Sequence, residues 1–478
     1  MLEPWAGAIR LLAVSIVDLP RINPAIVRSY DIRGCVGQQL SLNDAHTLGL
    51  AYASTARSQH KRYIAVCRDG RLTSPELEGV LVEALIAGGM QVHRLGLGPT
   101  PQLYFAVCAA CLDGGIMVTG SHNPPDQNGF KLVMGGDPVC GPALQALVAA
   151  RPTQAAGGGV VEVTGQDSCS SLAYVRRLGD LGSETPASLR IVWDCGNGAV
   201  GAVIGALTRR LPGQHILLNA TVDGRFPAHH PDPAVADNLR QLQAAVVLHR
   251  ADLGIAFDGD GDRIGVVDSS GAIVWPDQLL LLLALEALDK RSGAAIVADV
   301  KSSRVLFEEV ERHGGRPVMA PSGYVRVRAA MLRECAPLAG EMSGHIFFED
   351  CWHATDDALF VAVRVLLALG RLGCTLQEFR LGLPPTAASP ELRVQCPEHR
   401  KAQVIDEVSA RLGSSDGVYI DTTDGLRVTT EDGWWLLRAS GTEPKLTARC
   451  EAADSAGLAR LQRVLMSQLA RSGVQCQV

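Results

Sequence analysis

From residue 63 to about residue 370 the sequence alternates short apolar runs with stretches of helical periodicity, three times over. Beyond the Pro-rich segment LPPTAASPE (383–391) the alternation stops. Strands and helices in alternation bury their apolar faces as helices laid on a largely parallel sheet, so the pattern restricts most of the chain to α/β layers. In the first stretch YIAVCR (63–68) reads as a buried strand and SPEL opens a helix, with Ser74 as N-cap and Pro75 in the first turn. Leu77, Val80, Leu81 and Leu85 follow at helical spacing, Gly88 and Gly89 end the helix, and the unit closes on the strand GGIMVTG (114–120). A Gly- and Ser-rich run near 150–170 marks a boundary. A second unit runs from RIVWDC (190–195) to DLGIAF (252–257), and a third from Pro276 through AAIVADV (294–300) to a long helix around 355–370. The tail predicts the strand ELRVQC, a helix around 398–412, three strands and a last helix near 454–471, an α+β pattern with an antiparallel sheet and two helices. Length alone, 478 residues at ~150 per domain, suggests about three domains. The pattern instead predicts four, α/β domains 26–168, 169–272 and 273–385 and an α+β domain 386–478.

Charge and apolar patterning narrow the function classes. Lys+Arg 44 against Asp+Glu 50 leaves −6, which argues against a long nucleic acid as partner. No apolar run approaches the ~18 residues of a membrane helix, so no membrane partner is expected. Glu3 stands where a signal peptide would open with basic residues, and the 13 cysteines are an odd number without paired spacing. Both point to a reducing, cytoplasmic setting. Cys108 and Cys111 form a C-x-x-C inside the apolar segment QLYFAVCAACL and read as buried core thiols. In that setting the sequon at Asn219 has no consequence.

Two loops at predicted strand ends carry most of the chemistry, where open α/β sheets place their ligands. The first, TGSHNPPDQNGFK, spans 119–131 and sets the hydroxyl of Ser121 beside His122, Asn123 and Lys131, groups able to polarise or neutralise an anion. The second alternates Asp258, Asp260 and Asp262 with glycines and ends in Arg263. Three carboxylates so close repel one another unless a cation neutralises them, and oxygen donors without His or Cys suit Mg²⁺, Ca²⁺ or Mn²⁺. An EF-hand shares the D-x-D-x-D opening but needs Gly and Glu where Arg263 and Ser269 stand. A divalent site serving phosphoryl chemistry is the stronger reading.

Two further loops are less specific on their own. In GEMSGH (340–345) a carboxylate and a hydroxyl, Glu341 and Ser343, lie between glycines and could grip vicinal sugar hydroxyls. In RASGTEP, Arg438, Ser440, Gly441 and Thr442 could cradle a phosphate. The G-x-G-x-x-G at 196–201 lacks the acid that a dinucleotide site wants at the end of the next strand, and reads as a tight turn.

Taken together, in this order and spacing, these four segments resemble the α-D-phosphohexomutase family, and most its bacterial phosphomannomutase/phosphoglucomutases, from Arg28-Ser-Tyr30-Asp-Ile-Arg33-Gly onward, which implies that residues 1–25 are an added leader. The resemblance implies three related, mixed-sheet α/β domains and a distinct fourth around a central cleft. It implies that Ser121 carries a phosphoryl group, and that Asp258, Asp260 and Asp262 hold one Mg²⁺ together with an oxygen on Ser121. Arg33, Lys131, His122 and Arg263 would then assist transfer. Glu341 and Ser343 would bind the sugar hydroxyls, Arg438, Ser440, Gly441 and Thr442 the non-reacting phosphate. Tyr30, Lys301, Ser322, Gly323, Tyr324 and His345 would complete the substrate contacts. The implied reaction interconverts hexose 1- and 6-phosphates through a hexose 1,6-bisphosphate, which serves as intermediate and activator, and it needs no protein partner.

Two departures stand out. Relatives carry Gly-His-Ser where this chain has Gly323-Tyr324-Val325, and a phenol with a pKa of ~10 is a poor base at neutral pH. RASGTEP is also similar to the phosphate loop of phosphoglucosamine mutases, whereas Met342 in GEMSG points back to mannose and glucose. A glucosamine phosphate mutase is therefore the main alternative. A Mg²⁺-dependent sugar phosphatase and a non-catalytic phosphosugar sensor follow behind it.

Overall fold

The computed structural model describes residues 21–150, 155–349, 355–413, 417–440 and 444–474. Most of the expected leader thus lies outside the described residues.

The first sheet contains β1 (Ile32–Cys35), β2 (Tyr63–Arg68), β3 (Gln91–Leu97), β4 (Gly114–Val118), β5 (Gln127–Met134), β6 (Asp137–Pro138) and β7 (Gly159–Val161). Its order is β1-β5-β4-β2-β3-β7, with β6 on β5. Strands β4, β2, β3 and β7 run parallel, whereas β5 pairs antiparallel with both β4 and β1. Helices α1 (Leu42–Ser58), α2 (Ser74–Ala87), α3 (Thr100–Ala109) and α4 (Gly141–Ala149) flank it. Ser74 is the first residue of α2 and not its N-cap. Thr73 holds the cap position without a side-chain bond, and the Ser74 hydroxyl donates instead to Asp69 Oδ1 over 2.5 Å. Nor are Cys108 and Cys111 core thiols: they fall at the C-terminal end of α3, the first half-buried and the second exposed. Helix α3 turns its other face inward, through Leu103, Tyr104 and Val107.

The second unit holds α5 (Ser171–Leu181), α6 (Gly201–Thr208), α7 (Arg240–His249) and strands β8 (Arg190–Asp194), β9 (Gln214–Leu218), β10 (Leu253–Phe257), β11 (Ile264–Asp268) and β12 (Ile273–Val274), ordered β12-β11-β10-β8-β9. In the third, β13 (Ala295–Asp299), β14 (Arg316–Ala320), β15 (Leu338–Gly340) and β16 (Ile346–Phe348) are ordered β14-β13-β15-β16. Its helices are α8 (Pro276–Lys290), α9 (Arg304–Arg312), α10 (Tyr324–Arg333), α11 (Ala358–Leu372) and α12 (Leu376–Gly382). All three sheets repeat one device. Parallel strands end in a strand (β4, β10 or β15) that hairpins to an antiparallel neighbour (β5, β11 or β16), and the hairpin loops contain Ser121, Asp258–Arg263 and Glu341–His345.

The apolar run Leu279–Leu285 lies in α8, which packs with α5, α6 and the almost wholly buried α11 into one core shared by the second and third units. The first and fourth units have cores of their own. No single helix among the described residues is long and apolar enough to cross a membrane. The tail forms an antiparallel sheet of β17 (Ala387–Ala388), β18 (Leu392–Gln395), β19 (Tyr419–Asp421), β20 (Leu426–Thr430), β21 (Gly433–Ala439) and β22 (Lys445–Ala452), backed by α13 (Lys401–Leu412) and α14 (Ser455–Arg471). Four strands follow α13 where the sequence predicts three, because Tyr419–Asp421 forms the short edge strand β19.

At the end of β8, buried Asp194 accepts from Gly196 N and Asn219 Nδ2 through Oδ1, and its Oδ2 faces His229 Nε2 at 2.9 Å. Its bond to Asp194 raises the His229 pKa against the opposing effect of burial. A histidine raised in the folded state stabilises it fully below the unfolded pKa of ~6.5 and loses that contribution as pH rises through the folded value. The thermal midpoint is therefore expected to fall from pH 6 to pH 8 more steeply in the wild type than in His229→Gln, which differential scanning fluorimetry across that range would read.

Candidate functional site

Ser121 follows β4 in a left-handed backbone conformation, φ 49°, and is 1% exposed. The loop is fixed from beneath by residues the sequence reading did not single out. Asp69, just past β2, accepts from Thr119 Oγ1 at 2.8 Å and Gly120 N at 3.2 Å, and Thr119 Oγ1 in turn accepts from Ser121 N. The buried guanidinium of Arg71 donates to the carbonyls of Ser121, Asn123, Pro124 and Gln127, at 2.5–2.8 Å. Its Nε lies 3.2 Å from Asp69 Oδ2. A side chain at Gly120 would place Cβ 2.6 Å from that guanidinium, and one at Gly259 would come within 2.3 Å of the Ser121 carbonyl oxygen. Both glycines are needed for close backbone approach.

The Ser121 hydroxyl donates to Asp258 Oδ2 over 2.9 Å and lies 3.1 Å from His122 Nδ1. The other oxygen of Asp258 accepts from the backbone of Gly261, Asp262 and Arg263, which folds the acidic turn back on itself. Asp260 Oδ2 accepts from Thr100 Oγ1 at 2.5 Å and Lys131 Nζ at 2.7 Å, and Lys131 also pairs with Asp262 Oδ2. Lys131 reaches them because β5 runs back beside β4, opposite Met117. Burial and the neighbouring carboxylates push the pKa of Asp258 well up, and burial with Asp260 raises that of Asp262. Burial also opposes ionisation of Asp260, but the Lys131 ammonium and the bonds from Lys131 and Thr100 outweigh it and hold that carboxyl low. Burial, Arg263 and Arg33 push the His122 pKa well down, so the ring is neutral at pH 7.

The three aspartates bring oxygen atoms within 4.8 Å of one another, and Asp260 Oδ1 is buried without a hydrogen-bond partner. Hard oxygen donors, mutual repulsion and an orphaned carboxylate oxygen together fit a divalent cation. Arg33 completes this side, donating to Asp31 Oδ2 at 2.7 Å and Asn123 Oδ1 at 2.8 Å. Arg263 Nε donates to His345 Nε2 over 3.0 Å, joining the second unit to the third.

Two further carboxylates that the sequence reading passed over act here, Asp299 within the third unit and Asp424 between the third and the fourth. Asp299, at the end of β13, accepts from Ser322 Oγ at 2.7 Å, Ser302 Oγ and Met342 N, and lies 3.9 Å from Lys301 Nζ. Glu341 accepts from Gly323 N at 2.6 Å and lies 3.3 Å from the Ser343 hydroxyl. Asp424 accepts from Arg438 Nε at 2.8 Å and from Ser322 N at 3.1 Å. The Ser440 carbonyl accepts from Lys401 Nζ at 2.7 Å. Tyr30 and Tyr324 make an edge contact with centroids 5.7 Å apart, and a Cβ on Gly323 would strike the Tyr30 hydroxyl. Gly441 and Thr442 lie outside the described residues. A strand-end Asp-Gly-Arg (69–71) was the available signal for the missed clamp. Asp299, Asp424 and Thr100 became visible as site residues only once packing brought them there.

Family models described as phosphoglucomutase/phosphomannomutase α/β/α domains I, II and III match residues 24–154, 172–271 and 275–386, and the model of that family's C-terminal domain matches 391–468. A phosphomannomutase/phosphoglucomutase of Pseudomonas syringae pv. tomato is 40% identical over 94% of this chain and 96% of its own length. A phosphoglucomutase of Neisseria gonorrhoeae is 40% identical over 91% of this chain and 95% of its own. The crystal structure of a phosphoglucomutase/phosphomannomutase family protein from Burkholderia thailandensis superposes with a TM-score of 0.87 at 38% identity, covering 95% of this chain and 99% of that one. With all four family domains in order and relatives at this identity along nearly the whole length, the chain belongs to the phosphoglucomutase/phosphomannomutase family and is an α-D-phosphohexomutase that interconverts hexose phosphates.

Proposed function

We propose that the chain interconverts the 1- and 6-phosphates of mannose and glucose by way of a phosphorylated Ser121 and a hexose 1,6-bisphosphate. The observation that carries this reading is the Ser121 hydroxyl 2.9 Å from Asp258 Oδ2, at the rim of a buried three-aspartate cluster. Phosphoserine 121 gives its phosphoryl group to the free hydroxyl of the sugar phosphate. The bisphosphate turns over in the cleft, and its other phosphate returns to Ser121. Asp258, Asp260 and Asp262 hold Mg²⁺, which supplies charge neutralisation for the phosphoryl oxygens. Lys131 and Arg33 stabilise negative charge on the phosphoryl oxygens, while Arg263 and a neutral His122 flank the transferring group. Glu341 and Ser343 grip the sugar hydroxyls, with Tyr30, Lys301, Ser322, Gly323, Tyr324 and His345 around them. Arg438, Ser440, Gly441 and Thr442 clamp the resting phosphate, so that one clamp serves two sugar orientations. Burial pushes the Tyr324 phenol well above its ordinary range, which leaves it a hydrogen-bond donor and no base. We place the enzyme in the cytoplasm, acting on small phosphosugars without nucleic acid, membrane or an obligate protein partner.

A coupled assay with glucose, mannose and glucosamine 1-phosphates, primed with glucose 1,6-bisphosphate, tests the substrate assignment. Mannose and glucose 1-phosphates are expected to turn over faster than the glucosamine ester; a preference for glucosamine would move the chain to the phosphoglucosamine mutases. Removal of divalent metal by EDTA is expected to lower the rate by on the order of 10²–10³-fold, restored by Mg²⁺, because the clustered carboxylates then oppose phosphoryl transfer. Full activity in metal-free protein would refute the cation reading.

A further inference from the structure

Tyr324, the first residue of α10, lies in a column of rings. Tyr30 meets Tyr324 edge-on, Tyr324 stacks on His345 with centroids 5.5 Å apart and planes at 28°, and His345 stacks on Phe347 at 6.4 Å and 20°. The His345 imidazole is thus packed against two near-parallel rings, and it is 5% exposed. Its edges are committed as well. Arg263 Nε donates to Nε2 over 3.0 Å, and Nδ1 lies 2.8 Å from Asp356 Oδ2, two buried atoms that neither make nor receive a hydrogen bond elsewhere among the described residues and face each other as an ion pair. A ring that accepts at Nε2 carries its proton on Nδ1, and the buried carboxylate beside Nδ1 favours the proton there by its charge.

We propose that Tyr324 and Asp356 are positioning residues for Arg263: Tyr324 fixes the plane of the His345 ring by stacking, Asp356 fixes its tautomer, and the ring thereby presents an unprotonated Nε2 to the Arg263 guanidinium. The contribution of Tyr324 is its ring face. Burial with nearby Asp31 keeps its hydroxyl protonated. The same atoms of His345, Asp356 and Asp262 lie close enough to hold a metal ion. That occupancy conflicts with the Arg263 bond, since an imidazole with a metal on Nδ1 carries its hydrogen on Nε2 and would turn it against the Arg263 N–H. His345 Nδ1 also lies 3.8 Å from Asp262 Oδ1, whose other oxygen pairs with Lys131, so the Asp356–His345–Arg263 relay joins the third unit to the edge of the acidic loop.

This inference deepens the phosphoryl-transfer reading, in which Arg263 flanks the transferring group, but its first readout is independent of activity. Nitrogen-15 spectra of the full-length protein labelled at histidine are expected to show one ring with hydrogen on Nδ1 and a bare Nε2, and Asp356→Ala is expected to move that ring to the Nε2–H form. In kinetics, Tyr324→Ala is expected to lower kcat on the order of 10–100-fold with a smaller change in KM, the range for losing a group that orients a functional ligand. Tyr324→Phe, which keeps the stack, is expected to recover most of that loss. A wild-type His345 protonated at Nε2 would overturn the proposal, and so would a phenylalanine variant as impaired as the alanine one. The tautomer assignment in the wild type decides the Asp356 arm even if a substituted chain fails to fold. Loss of all mutase activity with the tautomer as described would instead count against the phosphoserine reading.

Discussion

Ser121→Ala is expected to lower kcat by on the order of 10⁴-fold or more while KM changes only a few-fold. Removal of a nucleophile eliminates the covalent route and leaves only what binding and charge stabilisation achieve without it. The substitution is structurally mild. The hydroxyl touches only Asp258 and His122, whereas the backbone of the loop is held by Thr119, Asp69 and Arg71 through main-chain atoms that alanine retains. The sugar and phosphate grips at Glu341, Ser343 and Arg438 belong to other units, so substrate binding should survive. Steady-state assay of the reversible reaction gives the kinetic result. Intact mass spectrometry after incubation with glucose 1,6-bisphosphate gives the chemical one: a gain of one phosphate in wild type and none in the variant. Retention of full mutase activity by Ser121→Ala would remove the phosphoserine mechanism. Release of inorganic phosphate by the wild type at the rate of substrate loss would point to hydrolysis.

How much of this site was legible beforehand follows from where its information lies in the chain. Ser121, the three aspartates and Glu341 occupy hairpin loops at the ends of β4, β10 and β15, and each loop concentrates several unusual residues within a short run, so local sequence reveals it. The α/β alternation likewise reports each unit, because helical and strand periods differ enough to be read locally. The shared core of α8 and α11 was not visible, since an apolar helix facing two sheets looks the same in sequence as one facing a single sheet. Cys108 and Cys111 misled for a related reason: an apolar run does not disclose which face of a helix end turns outward. Asp299 and Asp424 act on residues brought together by folding, Asp424 bridging Ser322 and Arg438 from 102 and 14 residues away. Nothing in their immediate neighbours marks either as a hub.

Arg71 shows this limit most sharply and carries the second large expectation. Its guanidinium is fully buried beneath the Ser121 loop, donates to four main-chain carbonyls, sits against Asp69 and stacks 5.1 Å from the Phe226 ring of the second unit. Arg71→Met fills much of the volume but strands those carbonyls and leaves the Asp69 carboxylate without its counter-charge. Breaking a buried pair by removing one partner costs about 3–5 kcal/mol, and the orphaned carbonyls act in the same direction. Urea denaturation of the variant should show a loss of that order. Arg71→Lys keeps a charge for Asp69 but cannot reproduce the planar fork, so it should fall between the two. Activity separates the clamp from simple stability. Measured well below the melting temperature, either variant should lose on the order of 10²-fold in kcat, because Ser121 is no longer held to the sub-ångström tolerance that in-line transfer demands. A methionine variant with wild-type stability and wild-type kcat would mean that Asp69 and Thr119 alone hold the loop, and that the four carbonyl bonds of Arg71 contribute nothing to its shape.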